Sequence, residues 1–249
     1  MAASGLAWGW FEAGWLRTRV LELEVDGLPP ELDGLRIAHL SDFHLGPPSR
    51  GAVAVRRAAD WVRERRPDLV AVTGDLLSHP RGRAELDGAL EGLGAYAVLG
   101  NHDVEVTRDP FSRAADLGGV GATLLEGEST TVELRGVRVQ VAGTEPRIDA
   151  PTPAADPAAA FRILLSHYPR VRTPGYGLVL AGHMHAGQIV LPYPGGKVRL
   201  AHPGALLAEG VYRRDGVTLH VSPGLGTTFV PFRFFARPEA TELVLRSTS

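Results

Sequence analysis

The first half of the chain alternates short apolar runs with longer segments in which apolar residues recur at helical spacing. Residues 52–65, for example, repeat apolar positions every three or four residues and stop before Pro67. We therefore predict strands at residues 19–25, 35–41, 69–73 and 95–99, and helices at residues 52–65, 83–93 and 109–117. Such alternation is typical of βαβ units built on a parallel sheet.

The second half is richer in strands, which are separated by Gly-containing turns such as Arg135-Gly136. We predict strands at residues 122–125, 130–134, 137–142, 162–166, 178–181, 188–191, 211–213, 217–221 and 241–245. A Pro- and Ala-rich stretch at residues 150–160 indicates a surface loop or a short helix. Because no internal repeat or linker is visible, we predict one α/β domain at residues 19–249 after a Trp-rich arm at residues 1–18.

Five of the apolar runs end in side chains that can bind a metal ion. The residues that follow these runs are Asp42 and His44, Asp75, Asn101 to Asp103, His167, and His183 with His185. In α/β sheets, ligands gather beyond the carboxyl ends of the strands, so we expect these side chains to share one region. Residues i and i+2 of an extended backbone project to the same side, which allows each Asp-x-His or His-x-His pair to converge.

Each of these motifs has an ordinary explanation when it is taken alone. An Asp-x-His pair or a Gly-Asp step after a strand is usually a turn, and Gly-Asn-His-Asp has the composition of an Asn/Asp-rich turn. A single Gly-His-x-His could be a pair of surface histidines. Five such sites at the ends of five predicted strands are not explained in this way. Glycines at positions 74, 100 and 182 also permit the sharp turns and close approach that a shared site needs.

Composition narrows the chemistry of the site. The formal net charge of −2 gives no basic excess for neutralising phosphates, so the sequence contains no nucleic-acid-binding signal. The chain has no cysteine, which excludes disulfides, thiolate zinc sites and Cys nucleophiles, while nine histidines remain. A set of carboxylate, imidazole and amide oxygen ligands suits Zn, Mn or Fe, whereas Ca or Mg would favour oxygen throughout.

Taken in order, the motifs resemble the signature of the calcineurin-like metallophosphoesterases. The matching segments are Asp42-Phe-His44, Gly74-Asp75, Gly100-Asn-His-Asp103, His167 and Gly182-His-Met-His185. The resemblance covers roughly residues 35–245 and is strongest to the bacterial phosphodiesterase-like branch, whose members often carry an N-terminal membrane anchor or export signal. It implies a four-layer α-β-β-α sandwich, with two mixed sheets face to face and helices outside.

The same resemblance implies a dinuclear centre with two divalent ions, which would be Mn, Zn or Fe. One ion would be bound by Asp42, His44 and His185, the other by Asn101, His167 and His183, and Asp75 would bridge the two. Seven protein ligands are too many for one ion that must keep an open position for substrate. A hydroxide bridging the two ions would then attack phosphorus in line.

His102 is the candidate catalytic residue, because it follows the ligand Asn101 and could protonate or stabilise the leaving oxygen. Many family members place an Asp three residues after the bridging Asp, where it orients this histidine, but here that position is Ser78. Either Asp103 or a water then orients His102, or the histidine is less strongly poised. Ser78 and Asp103 are therefore candidate supporting residues.

Four histidines lie outside the signature. We expect His39, in the middle of a strand, to be a hydrogen-bonded core residue with no part in the chemistry, and His220 to be structural. His79 is a further candidate supporting residue that could reach the substrate or only serve its loop. His202 could line the rim of the cleft.

Both termini contain aromatic residues. The arm carries Trp8, Trp10, Phe11 and Trp15, lacks a basic n-region, and is interrupted by Glu12 before it is long enough to span a bilayer. It is predicted to be either a short helix packed on the body or an interfacial segment that contacts a membrane. Residues 229–235 are either core or part of an apolar rim, in which Arg233 could contact a phosphate. We expect a cytoplasmic or peripherally membrane-associated protein without a signal peptide or transmembrane helix.

The function that this pattern favours is hydrolysis of a small or lipid-linked phosphoester, most simply a phosphodiester. The alternatives are a phosphomonoesterase and a pyrophosphatase acting on a nucleotide-linked lipid precursor of the UDP-diacylglucosamine type, which the apolar termini suggest. A non-catalytic binding scaffold is a third alternative, but such proteins usually lose ligands and none is lost here. The sequence does not indicate an oligomeric state.

Overall fold

The computed structural model describes residues 2–104 and 112–248 and contains two six-stranded sheets. The first sheet has the order β1-β14-β2-β3-β4-β5. Its strands are β1 (Arg17–Val25), β2 (Arg36–Leu40), β3 (Leu69–Thr73), β4 (Ala95–Val98), β5 (Ala122–Leu124) and β14 (Glu239–Ser247). Strands β2 to β5 are parallel, whereas β14 is antiparallel to β2, so this sheet is mixed.

The second sheet has the order β12-β13-β9-β8-β7-β6 and is also mixed. Its strands are β6 (Ser129–Leu134), β7 (Val137–Gly143), β8 (Phe161–Ser166), β9 (Leu178–Ala181), β12 (Gly210–Arg214) and β13 (Val217–Val221). A separate hairpin of β10 (Val190–Tyr193) and β11 (Gly196–Arg199) follows β9. The α-helices of the described residues are α1 (Ala2–Ala13), α2 (Gly51–Arg65), α3 (Arg83–Leu90) and α4 (Asn101–Val104).

The hydrophobic core shows how the layers stack. Ile37 and Ala71 of the first sheet pack with Ile163 and Leu180 of the second, so the two sheets lie face to face. Alternate residues of the first sheet, such as Leu40, point to the opposite face and pack with helices α2 and α3. The two-sheet α/β sandwich implied by the resemblance is confirmed.

On the outer face of the second sheet, the described residues place loop segments rather than an α-helix. Tyr176 and the partly buried Leu207 pack there against Leu164, Val179 and Leu219. The connection from β7 to β8 contains four prolines, at positions 146, 151, 153 and 157. Because proline breaks helix interiors, that stretch forms a loop, which is one of the two outcomes that its composition allowed.

Most predicted elements are present within one or two residues of their expected bounds, and β3, β9 and β13 match them completely. The strand expected at residues 188–191 is displaced to Val190–Tyr193, and its partner β11 was not predicted. Of the helix predicted at residues 109–117, residues 109–111 lie outside the described residues and residues 112–117 contain no helix. None of the described helices combines the length and apolar character that crossing a bilayer requires.

Candidate metal centre

The five motifs follow strands of both sheets and meet at one end of the sandwich. Asp42 and His44 follow β2, Asp75 follows β3, and Asn101 begins α4 directly after β4 in the first sheet. His167 follows β8 of the second sheet, and His183 and His185 follow β9. The carboxyl ends of these parallel strands therefore bring together residues from both halves of the chain, as their positions in the sequence predict.

The first cluster consists of Asp42, His44, Asp75 and His185, all of them buried. One candidate ligand atom from each lies within 4.8 Å of the others. The Nε2 atoms of His44 and His185 are 3.1 Å apart, and His185 Nε2 lies 3.5 Å from Asp42 Oδ1. At these separations the four side chains could hold one metal ion together.

The second cluster consists of Asp75, His167 and His183. His167 Nε2 lies 3.1 Å from His183 Nδ1 and 3.0 Å from Asn101 Oδ1, so the predicted ligand Asn101 belongs to this group as well. Asp75 Oδ2 is 3.3 Å from His44 Nε2 and 3.4 Å from His167 Nε2. One carboxylate oxygen thus lies between the two clusters.

The hydrogen bonds around His167 show that the site fits a cation. Its Nδ1 lies 2.8 Å from the Thr73 carbonyl oxygen, which can only accept, so Nδ1 carries a proton. When the ring gives up its second proton, as metal binding requires, Nε2 presents a lone pair toward the oxygens of Asp75 and Asn101, which are acceptors too. A divalent ion satisfies this group of acceptors, and imidazole, carboxylate and amide oxygen are a suitable donor set for Zn, Mn or Fe.

The charges of the cluster lead to the same conclusion. Burial lowers the pKa of His167, but the charge of Asp75 and a hydrogen bond to it more than offset this effect and raise the pKa to about 9. Burial lowers the pKa of His183 to about 3, and that of His185 well below its ordinary value, so both rings are neutral. Neutral imidazole is the form that binds metal. Burial raises the pKa of Asp42, and the negative charge of Asp75 acts in the same direction to a smaller extent.

Backbone conformation at the site is unusual. Asp42, His44, Asp75, His183 and His185 all have positive φ, between 45° and 71°. Non-glycine residues rarely adopt this left-handed region, and such conformations persist where the surrounding structure determines them. The expectation that extended backbone makes Asp42 and His44 converge was therefore wrong, because left-handed turns aim these side chains.

Two glycines let the backbone approach the carboxylates. A Cβ on Gly100 would lie 2.7 Å from Asp75 Cγ and closer still to its Oδ1 and backbone nitrogen. A Cβ on Gly182 would lie 2.5 Å from Asp42 Oδ2. Both distances are shorter than real Cβ contacts, so only glycine fits at these positions.

The supporting residues are placed differently from one another. Ser78 Oγ lies 2.9 Å from His44 Nδ1 and fixes the orientation of that ring rather than that of His102. Asp103 accepts hydrogen bonds from the backbone N–H groups of Leu76, Leu77 and Gly100 at 2.8–3.1 Å, so it holds the two motif turns together.

His79 and His202 lie outside the two clusters. His79 Nδ1 accepts a hydrogen bond from the Arg81 backbone, which places it in its loop. The ring centroid of His202 is 4.8 Å from that of His183, so His202 lines the rim of the centre.

His102 lies at the edge of the first cluster. Its backbone N–H donates to Asp75 Oδ1 at 2.9 Å, and its ring centroid is 4.7 Å from that of His44. Its Nδ1 lies 3.3 Å from Ser112 Oγ. Ser112, which the sequence did not single out, is therefore a described residue that contacts the ring.

The buried residue His39 has a connection to the centre that its sequence context does not indicate. His39 Nδ1 lies 2.8 Å from His220 Nδ1, and its Nε2 lies 2.9 Å from Thr73 Oγ1, which in turn donates to Ser41 Oγ. Ser41 Oγ donates to Asp42 Oδ2 at 2.6 Å, so the core histidine His39 is joined to a candidate ligand.

Arg233 does not face a substrate. Its side chain is fully buried and donates to the carbonyl oxygens of Gly226, Pro223 and Ala236 at 2.7–3.0 Å. Its Nη2 is 3.4 Å from His185 Nδ1. The guanidinium thus packs behind a candidate ligand and holds residues 223–236 against the centre.

Comparison with known proteins places these residues in a family context. Residues 35–187 match the family described as calcineurin-like phosphoesterase. The chain is 30% identical over 236 residues to the metallophosphoesterase YkoQ of Bacillus subtilis, a match that covers 87% of this chain and 85% of that protein. It is 32% identical over 258 residues to a transmembrane protein with metallophosphoesterase domain from Danio rerio, covering 91% of this chain but 56% of that one. The solved structure of the calcineurin-like phosphoesterase YfkN from Bacillus subtilis overlaps 77% of this chain and 81% of its own at 14% identity, with a TM-score of 0.42.

Proposed function

Because this chain belongs to the calcineurin-like phosphoesterase family, we propose that it is a phosphodiesterase in which the two clusters bind one divalent ion each. Metal-dependent phosphoester hydrolysis, without a preference for one kind of ester, follows from the family and from the Asp/His clusters. The two-ion centre is supported by the position of Asp75 Oδ2, which lies 3.3 Å from His44 Nε2 and 3.4 Å from His167 Nε2. A carboxylate in that position can serve two ions at once.

The ligand division follows the two clusters. Asp42, His44 and His185 would hold one ion, and Asn101, His167 and His183 the other, with Asp75 common to both. Ions held there would supply Lewis acidity, which would lower the pKa of an attacking water and offset negative charge on the phosphoryl oxygens. Burial of the first cluster excludes bulk water and strengthens these interactions.

His102 would handle the proton of the leaving oxygen. Its backbone hydrogen bond to Asp75 fixes its position relative to the centre, and its ring lies beside that of His44. A histidine held within reach of a leaving oxygen can donate a proton to it or hydrogen-bond to it. Ser78 would orient His44 through the contact between its hydroxyl and His44 Nδ1.

An open cleft of about 590 Å³ next to His183 suggests the kind of ester. Its lining includes Ile148, Met184, Leu206 and Leu207, and contains no Lys or Arg among the described residues. A phosphodiester carries one negative charge, whereas a monoester or a nucleotide pyrophosphate carries more and needs more cations to bind. The lining therefore favours a diester with an apolar substituent. The same apolar lining keeps the lipid-linked pyrophosphate as the second candidate.

A substrate panel tests the proposal. The chain would be assayed with bis(p-nitrophenyl) phosphate, p-nitrophenyl phosphate and a lipid-linked nucleotide diphosphate, with Mn, Zn, Fe or Mg in turn. We expect the diester to have the highest kcat/KM and Asp75→Ala to abolish turnover. A preference for the monoester or the pyrophosphate would replace the diester assignment.

Metal analysis tests the ion count separately. We expect two ions per chain in the wild type and a loss of bound metal in His183→Ala. His79→Ala is the matched control, because it removes a histidine of the same region that belongs to neither cluster. One ion per chain at saturation would contradict the two-ion centre while leaving the phosphoesterase activity in place.

A further inference from the structure

Helix α1 has an unusual pattern of exposure. The buried residues along it include Gly9, Glu12 and Ala13, while Trp10 is 43% and Phe11 54% exposed. A surface helix of a globular protein normally turns its apolar residues toward the core. Helix α1 does the opposite and presents its largest apolar side chains outward.

The outward orientation is fixed by specific contacts. A Cβ on Gly9 would lie 2.5 Å from Phe234 Cε2, so the helix packs on that ring without a side chain between. Arg233 N donates to the Gly9 carbonyl oxygen at 3.1 Å. Glu12 Oε1 accepts from Ala236 N at 2.8 Å, and its Oε2 accepts from Trp8 Nε1 at 2.9 Å. The helix is therefore held in this orientation from both its backbone and its one carboxylate.

The exposed surface extends beyond the helix. The Trp10 ring contacts that of Phe232 at 6.3 Å between centroids, and Phe229 and Phe235 are exposed on the same segment. We call the outward surface of residues 6–15 together with residues 229–235 the aromatic face. The β10–β11 hairpin joins it, because Val190 N donates to the Phe234 carbonyl oxygen.

Cations accompany the aromatic side chains. The guanidinium of Arg50 lies 4.2 Å from the Trp10 ring centroid, and that of Arg237 lies 3.7 Å from the Trp15 centroid. Arg19 lines a groove shared with Trp8 and Trp15. Within the described ranges, none of these three arginines forms an ion pair. The nearby acids are already engaged, since Glu239 pairs with Arg17, Glu209 with Lys197, and Glu12 is hydrogen-bonded to Ala236.

We propose that the aromatic face docks on an anionic lipid surface. Tryptophan and arginine together suit the headgroup region, where apolar rings and charged tips are both accommodated. These arginines keep a net positive charge, although Arg237 also donates to the carbonyl oxygens of Trp15 and Leu16, and they complement negative lipid headgroups. A symmetric dimer through this face would instead bring the same cations of two copies together, which is unfavourable.

Docking would bring the metal centre close to the lipid surface. Phe229 and Val230 line a cleft that also includes Leu200 and His202. The ring of His202 in turn lies 4.8 Å from that of His183. The proposed surface does not depend on which phosphoester is hydrolysed, and it is tested without an activity assay.

Co-sedimentation of the full chain with vesicles tests the proposal. We expect binding to vesicles of phosphatidylcholine mixed with phosphatidylglycerol, and weaker binding to phosphatidylcholine alone. The double variant Leu6→Ser/Phe11→Ser removes two outward side chains and should weaken partitioning about tenfold or more. Arg50→Ala/Arg237→Ala should weaken binding to the anionic vesicles only. The matched control is Arg57→Ala, an exposed arginine of α2 outside both the face and the centre, which should bind like the wild type.

Tryptophan fluorescence identifies the contacting segment. Three of the four tryptophans lie at or near α1, and the fourth, Trp61, packs against the core. Brominated lipids should quench the wild type but leave the Trp8→Phe/Trp10→Phe/Trp15→Phe variant, which retains only Trp61, unquenched. Vesicle binding that is absent, or unchanged in the Leu6/Phe11 variant with an unaltered melting temperature, overturns the proposal. So does a dimer in solution that the same variant dissociates, because a second copy would then be the occupant.

Discussion

Replacing Gly100 with alanine tests how closely the backbone must approach the shared carboxylate. The new Cβ would lie 2.7 Å from Asp75 Cγ, whereas ordinary contacts begin at 3.4 Å, so the neighbours must separate by at least 0.7 Å (3.4 − 2.7). The Asp75 backbone nitrogen is closer still, and side-chain rotation therefore cannot relieve the clash. Asp75 and Gly100 must therefore shift relative to each other, which alters the distances of 3.3 Å and 3.4 Å from Asp75 Oδ2 to His44 and His167.

The size of the effect follows from that displacement. A misplacement of about 1 Å at a reacting centre costs about 100-fold in rate, so we expect kcat/KM to fall about 10- to 100-fold. Overpacking costs about 1–3 kcal/mol, and a domain of this size loses about 2–4 °C in Tm per kcal/mol, which gives a decrease of about 2–12 °C.

The assay combines hydrolysis of bis(p-nitrophenyl) phosphate with Mn, metal content after buffer exchange, and thermal melting. Gly88→Ala is the matched control, because nothing lies within 4 Å of its added Cβ on the exposed side of α3. That change should leave activity intact and stabilise the protein by about 0.5–1 kcal/mol. A Gly100→Ala enzyme with wild-type activity, metal content and Tm would refute the close-approach reasoning.

Three further predictions concern metal affinity, pH and thermal stability. Ser78→Ala removes the hydroxyl that lies 2.9 Å from His44 Nδ1, so metal affinity, measured by competition with a chelator, should fall about 10- to 100-fold. The kcat should be largely restored at saturating Mn. An unchanged metal affinity would contradict the role of Ser78 in orienting His44. Burial lowers the pKa of His220 to about 3, so the contribution of this residue to stability is complete above pH 6.5 and is lost as the pH falls toward 3. Urea unfolding of the metal-free protein should show that about 2 kcal/mol of this contribution is lost by pH 5. The stability of His220→Asn should decrease less steeply with falling pH. Removing the metal with a chelator should lower the Tm, since ions at 100 times their Kd stabilise the folded protein by about 2.7 kcal/mol. A Tm that does not change with Mn concentration would argue against a bound ion in the folded state.

The identity of the candidate ligands could be predicted because their signal is local. Each lies one to four residues after the end of a strand, and the placement of strand ends in an α/β sheet brings such positions together. Their backbone conformation could not be predicted in the same way. Positive φ at Asp42 or His185 goes against residue preference and arises from contacts with distant parts of the chain, such as the hydrogen bond from His183 N to Asp42.

Side chains that act through another residue carry the weakest signal in the sequence. The sequence shows that Ser78 departs from the family pattern, but its contact with His44 is visible only in the structure. His39 has the sequence context of an ordinary core residue, and its connection to Asp42 passes through Thr73 and Ser41, which carry no motif. Arg233 has a charge that suggested phosphate binding, yet its surroundings are backbone carbonyls, which a sequence pattern does not reveal.

The position of the centre between the two sheets has a consequence for the order of folding. His44 and His185 are 141 residues apart in the chain, and their contact requires the first and second sheets to have formed and docked. Contacts between such distant residues form late, because the closure of a long loop must precede them. We therefore expect bound metal to slow unfolding rather than to accelerate folding, since interactions absent from the transition state act on the unfolding rate. Metal binding would therefore stabilise the protein only after its two sheets have formed and docked.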